Sequence, residues 1–150
     1  MTIGPIYHAG YIVPDLDDAM TMFGEAFQLS WTRPKTSHRI VHTEEGDQHV
    51  TFHVATSLEG PPHIELIEAQ PGTMWSGEEI AIHHVGVWTE DVRGSSQDLA
   101  ALGFPPAAHM DSETTPDAWR IAFNHNPFGG FVELLDVGEQ QGFRDRLDQA

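Results

Sequence analysis

The chain has 150 residues, enough for one compact domain with a sizeable core. Seven Lys and Arg stand against 23 Asp and Glu, a formal charge of −16, and no segment offers the basic face that a nucleic-acid backbone or an anionic membrane attracts. Cysteine is absent, which excludes a disulfide framework, a thiolate nucleophile, an iron–sulfur cluster and Cys-ligated zinc.

Taken in chain order, Ile6 to Val13 reads as a strand ended by Pro14. Asp15 is placed to cap a helix over Leu16 to Phe27, where Leu16, Ala19, Met20, Phe23 and Phe27 recur at helical spacing. His38 to Thr43 and His49 to Ala55 read as strands around the turn Glu44-Glu45-Gly46-Asp47, and His63 to Ile67 follows the breaker Gly60-Pro61-Pro62. A Pro/Gly/Ser-rich linker covers about residues 70–79, and Trp75 within it either closes over a site or pins the linker. Ile80 to Thr89 then reads as a strand, and a helix capped by Asp91 runs to about Leu102. Pro105 to Pro116 reads as a loop. Trp119 to His125 and Phe131 to Val137 read as strands, and a tail from Glu139, with Phe143 and Leu147 one turn apart, as a short docking helix. No basic segment followed by an apolar run marks a signal peptide, and no apolar run is long enough to span a bilayer, so a cytoplasmic protein is expected.

The order strand, helix, strands occurs twice. Tyr7-His8-Ala9-Gly10-Tyr11-Ile12-Val13-Pro14-Asp15 lies over His83-His84-Val85-Gly86-Val87-Trp88-Thr89-Glu90-Asp91, and His63-Ile64-Glu65-Leu66-Ile67 over Phe131-Val132-Glu133-Leu134-Leu135. Module one spans about residues 5–69, module two about 80–138 and the tail 139–150, within one domain. Two such copies pack about a pseudo-twofold axis, which brings His8 to His84 and Glu65 to Glu133. Two imidazoles and two carboxylates suit a divalent ion with open positions. Gly10 and Gly86 are expected to leave room there for a substrate, and His83 to point to the opposite face.

On these segments, together with Asn126-Pro127-Phe128-Gly129-Gly130, the chain resembles the vicinal oxygen chelate superfamily. That superfamily includes glyoxalase I, methylmalonyl-CoA epimerase, extradiol dioxygenases and bleomycin-resistance proteins. The resemblance implies an α+β fold of two tandem βαβββ modules whose curled mixed sheets form a metal-containing cleft. It carries over His8, Glu65, His84 and Glu133 as ligands of one divalent ion, Zn, Ni, Co, Mn or Fe. Glu133 is then the first candidate for a proton-accepting base and Glu65 the second. The implied reaction is a metal-dependent isomerisation, epimerisation or lyase step on a small carbonyl compound, through a metal-stabilised enolate. An Fe(II) extradiol-type dioxygenase and a metal-free drug- or metabolite-binding protein are the alternatives. A small-molecule substrate and a homodimer are expected.

His63, His53, Trp88 and Phe131 are the candidate substrate-side residues. His63 shares the face of Glu65, Trp88 that of His84 and Phe131 that of Glu133. His53 faces the cleft if the apolar face of its strand (Val50, Phe52, Val54) meets the helix. Arg33, Lys35, His38 and Arg39 form the basic cluster, read as a solvated strand edge, with capture of a substrate carboxylate or phosphate as the second reading.

Overall fold

The structure, a computed structural model, describes residues 3–77 and 82–150. Its strands and helices are β1 (His8–Val13), α1 (Leu16–Phe27), β2 (Lys35–Thr43), β3 (Gly46–Thr56), β4 (His63–Glu68), β5 (His84–Thr89), α2 (Val92–Ala101), β6 (Pro106–Asp111), β7 (Trp119–His125), β8 (Phe131–Asp136) and α3 (Gln140–Asp148). Both long helices begin where an aspartate caps them: Asp15 accepts from Asp18 N and Asp91 from Gly94 N, each at 2.9 Å. Ile80 and Ala81, the expected start of β5, lie outside the described residues.

The eight strands close into one barrel in the order β1-β4-β3-β2-β6-β7-β8-β5. Each module contributes a mixed half-sheet with its first and last strands parallel, His8 opposite His63 in one and His84 opposite Phe131 in the other. Two antiparallel seams join the halves: β1 with β5, and β2 with β6 through His42–His109 and Thr43–Ala108. The fold is thus α+β with curled sheets, as the resemblance implies.

Alternation along the strands sorts the side chains into two layers. Outward apolar residues take the helices. Val13, Leu16, Ala19, Ala55 and Leu66 form the core under α1, and Val87, Val92, Leu99, Ala122 and Leu134 the core under α2. Inward apolar residues plug one end of the barrel, where Val41, Val50, Ile67, Trp75, Met110 and Phe123 pack together. Trp75 therefore pins the linker from inside the barrel, where its ring also lines the cavity beside Glu65, His84 and Glu133. It is 1% exposed, its ring stands edge-on to Phe52 at 4.7 Å, and its carbonyl accepts from Gln70 N at 2.8 Å.

Two sequence expectations are corrected here. The segment read as a loop from Pro105 contains β6, which pairs with both β2 and β7. The apolar face of β3 turns into the barrel rather than toward a helix, so His49 and His53 face outward. His53 Nδ1 meets Thr36 Oγ1 at 2.9 Å there. Among the described residues no helix is long and apolar enough to cross a membrane.

Candidate metal centre

The β1–β5 seam decides how the two histidines meet. In that register His8 lies opposite Gly86 and Gly10 opposite His84. Each imidazole projects over the glycine of the other module, and a Cβ on either glycine would collide with the facing ring. The glycines make room for the histidines themselves, not for a substrate as the sequence suggested. Glu65 and Glu133 come from the parallel neighbours, β4 and β8, paired with Gly10 and Gly86.

The four side chains converge within a single chain. His8 Nε2 lies 2.8 Å from His84 Nε2, and Glu133 Oε2 lies 2.9 Å from the first and 3.1 Å from the second. Glu65 Oε1 stands further off, 3.5 Å from His84 Nε2 and 3.9 Å from His8 Nε2. Donor atoms bonded to one ion at about 2.1 Å lie about 3.0 Å apart at right angles, so these separations match the edges of a coordination shell. His8 and His84 are almost wholly buried. Glu133 Oε2 is buried without an aligned hydrogen-bond partner despite its two close nitrogens. Buried polar groups are normally satisfied. A cation among these atoms would satisfy them, and nitrogen and carboxylate donors suit a divalent ion of hard or borderline character.

The electrostatics agree. Burial alone would push the Glu133 carboxyl up, but His84 and His8 hold it well below the usual carboxylate range. Burial would push His84 down, yet Glu133 and Glu65 outweigh it and raise it to about 10. The cluster demands positive charge at its centre, and a proton and a divalent ion are alternatives there.

His83 was expected on the opposite face; instead it backs His84. It precedes β5, its Nδ1 lies 2.9 Å from His84 Nδ1, and its Nε2 lies 2.8 Å from the Met74 carbonyl. Burial, with His84 second, lowers His83 to about 4, so the ring is neutral at pH 7. A carbonyl only accepts, so His83 Nε2 carries the proton and its Nδ1 accepts from His84 Nδ1. That leaves the His84 Nε2 lone pair facing the cluster, the tautomer a metal ligand needs.

A cavity of about 140 Å³ opens over Glu65, His84 and Glu133, with Trp88, Phe123 and Tyr7 in its wall. Trp88 stacks on Tyr7 at 4.3 Å, and burial, then Glu133 and Glu65, keep the Tyr7 hydroxyl protonated. Phe143 of α3 stands edge-on to Tyr7 at 5.4 Å, so the docking helix closes over this side. The other proposed substrate-side residues do not line the cavity. His63 shares the face of Glu65, but its Nδ1 is bound to the Ser57 carbonyl at 2.8 Å and its ring rests on Phe143. His53 faces outward. Phe131 packs beside His83 and His125, beneath the cluster.

Of the basic cluster, Lys35 and Arg39 turn into the cavity, whereas His38 faces outward to Thr51. The sequence reading missed Arg120 and Arg146, which join them there from β7 and α3. A β-bulge on β7 turns the first inward: Met110 pairs with Ile121 and Asp111 with Trp119, so Arg120 is skipped and lines the cavity next to Ile121.

The fold and this cluster together define a protein of the vicinal oxygen chelate type. Residues 7–123 match the family model described as the Glyoxalase/Bleomycin resistance protein/Dioxygenase superfamily, and the chain belongs to that superfamily. No curated protein gives a significant match. Among solved structures, methylmalonyl-CoA epimerase of Streptomyces coelicolor in complex with 2-nitronate-propionyl-CoA is similar at a TM-score of 0.61 and 19% identity, covering 90% of this chain and 95% of that one. Methylmalonyl-CoA epimerase of Mycobacterium tuberculosis is similar at 0.61 and 15%, covering 92% and 91%. A hypothetical protein of Bacillus halodurans C-125 is similar at 0.61 and 15%, covering 91% and 95%. At these identities the likeness concerns the fold.

Proposed function

We propose that the protein is an isomerase or epimerase that moves a proton on the carbon beside a carbonyl of a small substrate, using one divalent ion held by His8, Glu65, His84 and Glu133. The observation that carries the reading is the convergence of these four donors from both modules on one buried point, open on one side to the cavity. When bound, the ion supplies Lewis-acid stabilisation of negative charge on the substrate oxygens.

The chain supplies the rest. Glu133 is the proton acceptor, because its carboxylate lines the cavity and a ligand that loosens from the ion frees an oxygen toward the substrate. Glu65, more loosely placed, is the second candidate for that transfer. His83 fixes the tautomer of His84, while Trp88, Tyr7 and Phe143 keep water from the reacting carbon. A glyoxalase-like lyase would begin with the same proton abstraction. The similarity to methylmalonyl-CoA epimerases supports the epimerase form. A homodimer and a cytoplasmic location belong to the proposal, although the four ligands meet within one chain.

Exchange of the substrate's α-proton with deuterated solvent tests the reading in Glu133→Gln and Glu65→Gln. Loss of a general base costs about 10²–10⁴ in rate. The expected result is a loss of that size in Glu133→Gln that added metal does not restore, and a smaller loss in Glu65→Gln. Exchange at the wild-type rate in Glu133→Gln removes it as the base.

A further inference from the structure

The charges are distributed unevenly. Among the described residues four cationic side chains line one cavity, Lys35, Arg39, Arg120 and Arg146, against three acidic ones, Glu65, Glu133 and Glu139. They come from three separate elements, β2, β7 and α3. Two have carboxylate partners. Arg39 pairs with Glu113 at 2.8 Å, and Arg120 with Glu139 through Nε at 3.0 Å and Nη2 at 3.1 Å. Lys35 and Arg146 form no ion pair among the described residues; both are exposed at the cavity's rim, and the Arg146 guanidinium lies over the Phe143 ring at 5.7 Å.

Resting on the function proposed above, we infer that Lys35 and Arg146, flanked by Arg39 and Arg120, form a subsite for an anionic group of the substrate, a carboxylate or a phosphate. Like charges gathered in one cavity repel. Burial, then Arg146, Arg120 and Arg39, push the Lys35 ammonium below its usual range, and an anion between them would relieve that repulsion. A chain of charge −16 repels anions at long range, so a local patch of opposite sign is what admits one. The metal would hold the reacting end of the substrate and the cations its anionic end, which orients the carbon that loses the proton. Arg146 belongs to the helix that covers the cavity, so an anion bound there would contact α3 directly.

The test uses the full chain, with one equivalent of zinc and without added metal, titrated calorimetrically with malonate and with its neutral isostere malonamide. Malonate should bind in both forms and malonamide only weakly. Lys35→Met and Arg146→Met should each weaken malonate about tenfold or more, the worth of one charge-assisted hydrogen bond. Arg33→Met and Arg144→Met, which remove cations that do not line the cavity, should leave it unchanged. Inorganic phosphate run in parallel identifies the source: tighter binding than malonate assigns a phosphate group, weaker binding a carboxylate. Malonate held no better than malonamide, or equal losses in the Arg33 and Arg144 variants, overturns the subsite. Zinc stoichiometry is followed in every sample. Failure to bind zinc in the wild type would remove the proposed function while leaving a cation-dependent malonate result intact.

Discussion

The imidazole of His84 fills the space in which a side chain at Gly10 would stand, and His8 stands in the same relation to Gly86. The antiparallel β1–β5 seam imposes this crossing, so each module's ligand is seated by the other module's backbone. The cluster of His8, Glu65, His84 and Glu133 and the contact between the modules are one feature.

Gly10→Ala should therefore abolish metal binding while leaving much of the barrel intact. The backbone at Gly10 is ordinary strand, so the injury is the collision with the His84 ring. Gly103→Ala is the opposite case: its φ of 95° is strained for alanine, yet no atom lies within 4 Å of the added Cβ. That variant should lose about 1–3 kcal/mol of stability and keep its metal affinity. Metal titration and thermal melting of both variants check the pair. Retention of wild-type metal affinity in Gly10→Ala would contradict it.

His83→Phe should weaken metal binding by about 10–100-fold, the usual range when a partner behind a ligating histidine is lost. The phenyl ring cannot accept from His84 Nδ1, so the useful tautomer of His84 is no longer favoured. His83→Gln keeps an acceptor and should recover part of the affinity. If both variants behave like the wild type, the relay to the Met74 carbonyl has no role.

At the β2–β6 seam His42 sits between two aspartates, 2.7 Å from Asp47 and 3.1 Å from Asp111. The hydrogen bond to Asp47, against a small burial cost, raises the imidazole above its usual value. A raised folded value means that its stabilising effect is complete below the unfolded value, about 6.5, and is lost as pH rises through the folded one. NMR titration should place His42 above that reference in the wild type and nearer to it in Asp47→Asn. The stability difference between the two should shrink as pH rises above neutrality. A His42 titration unmoved by Asp47→Asn would count against the clasp.

Much of this was legible in the residues. The spacing of Leu16, Ala19, Met20 and Phe23 after Asp15 gave α1, because the cap and the apolar stripe are both local signals. The four clustered side chains followed from the repeat, since equivalent residues of two copies meet at their axis. β6 escaped because Pro106, Ala107 and Ala108 have little preference for a strand; pairing with β2 and β7 on both sides holds it in place. His53 was misplaced because alternation gives two faces without saying which one is inside. In a closed barrel part of the interior is itself apolar, so Phe52 and Val54 took that side. Arg120 and Arg146 carry no local mark, for closure of the chain alone brings them to Lys35.

The metal centre should also tie the modules together. Ligands from both halves meet only in the native state, so a bound ion stabilises that state. A chelator should lower the melting temperature of the wild type and leave a His8→Ala/His84→Ala double variant unmoved. An equal response in both would show that the ion sits elsewhere.

The most direct test is the divalent metal content of protein purified without chelators, measured by elemental analysis beside the same double variant. The account predicts one ion per chain in the wild type and less than about a tenth of that in the double variant, which lacks both imidazoles. Full occupancy in the double variant, or a wild type that takes up none of Zn, Ni, Co, Mn or Fe, would contradict it.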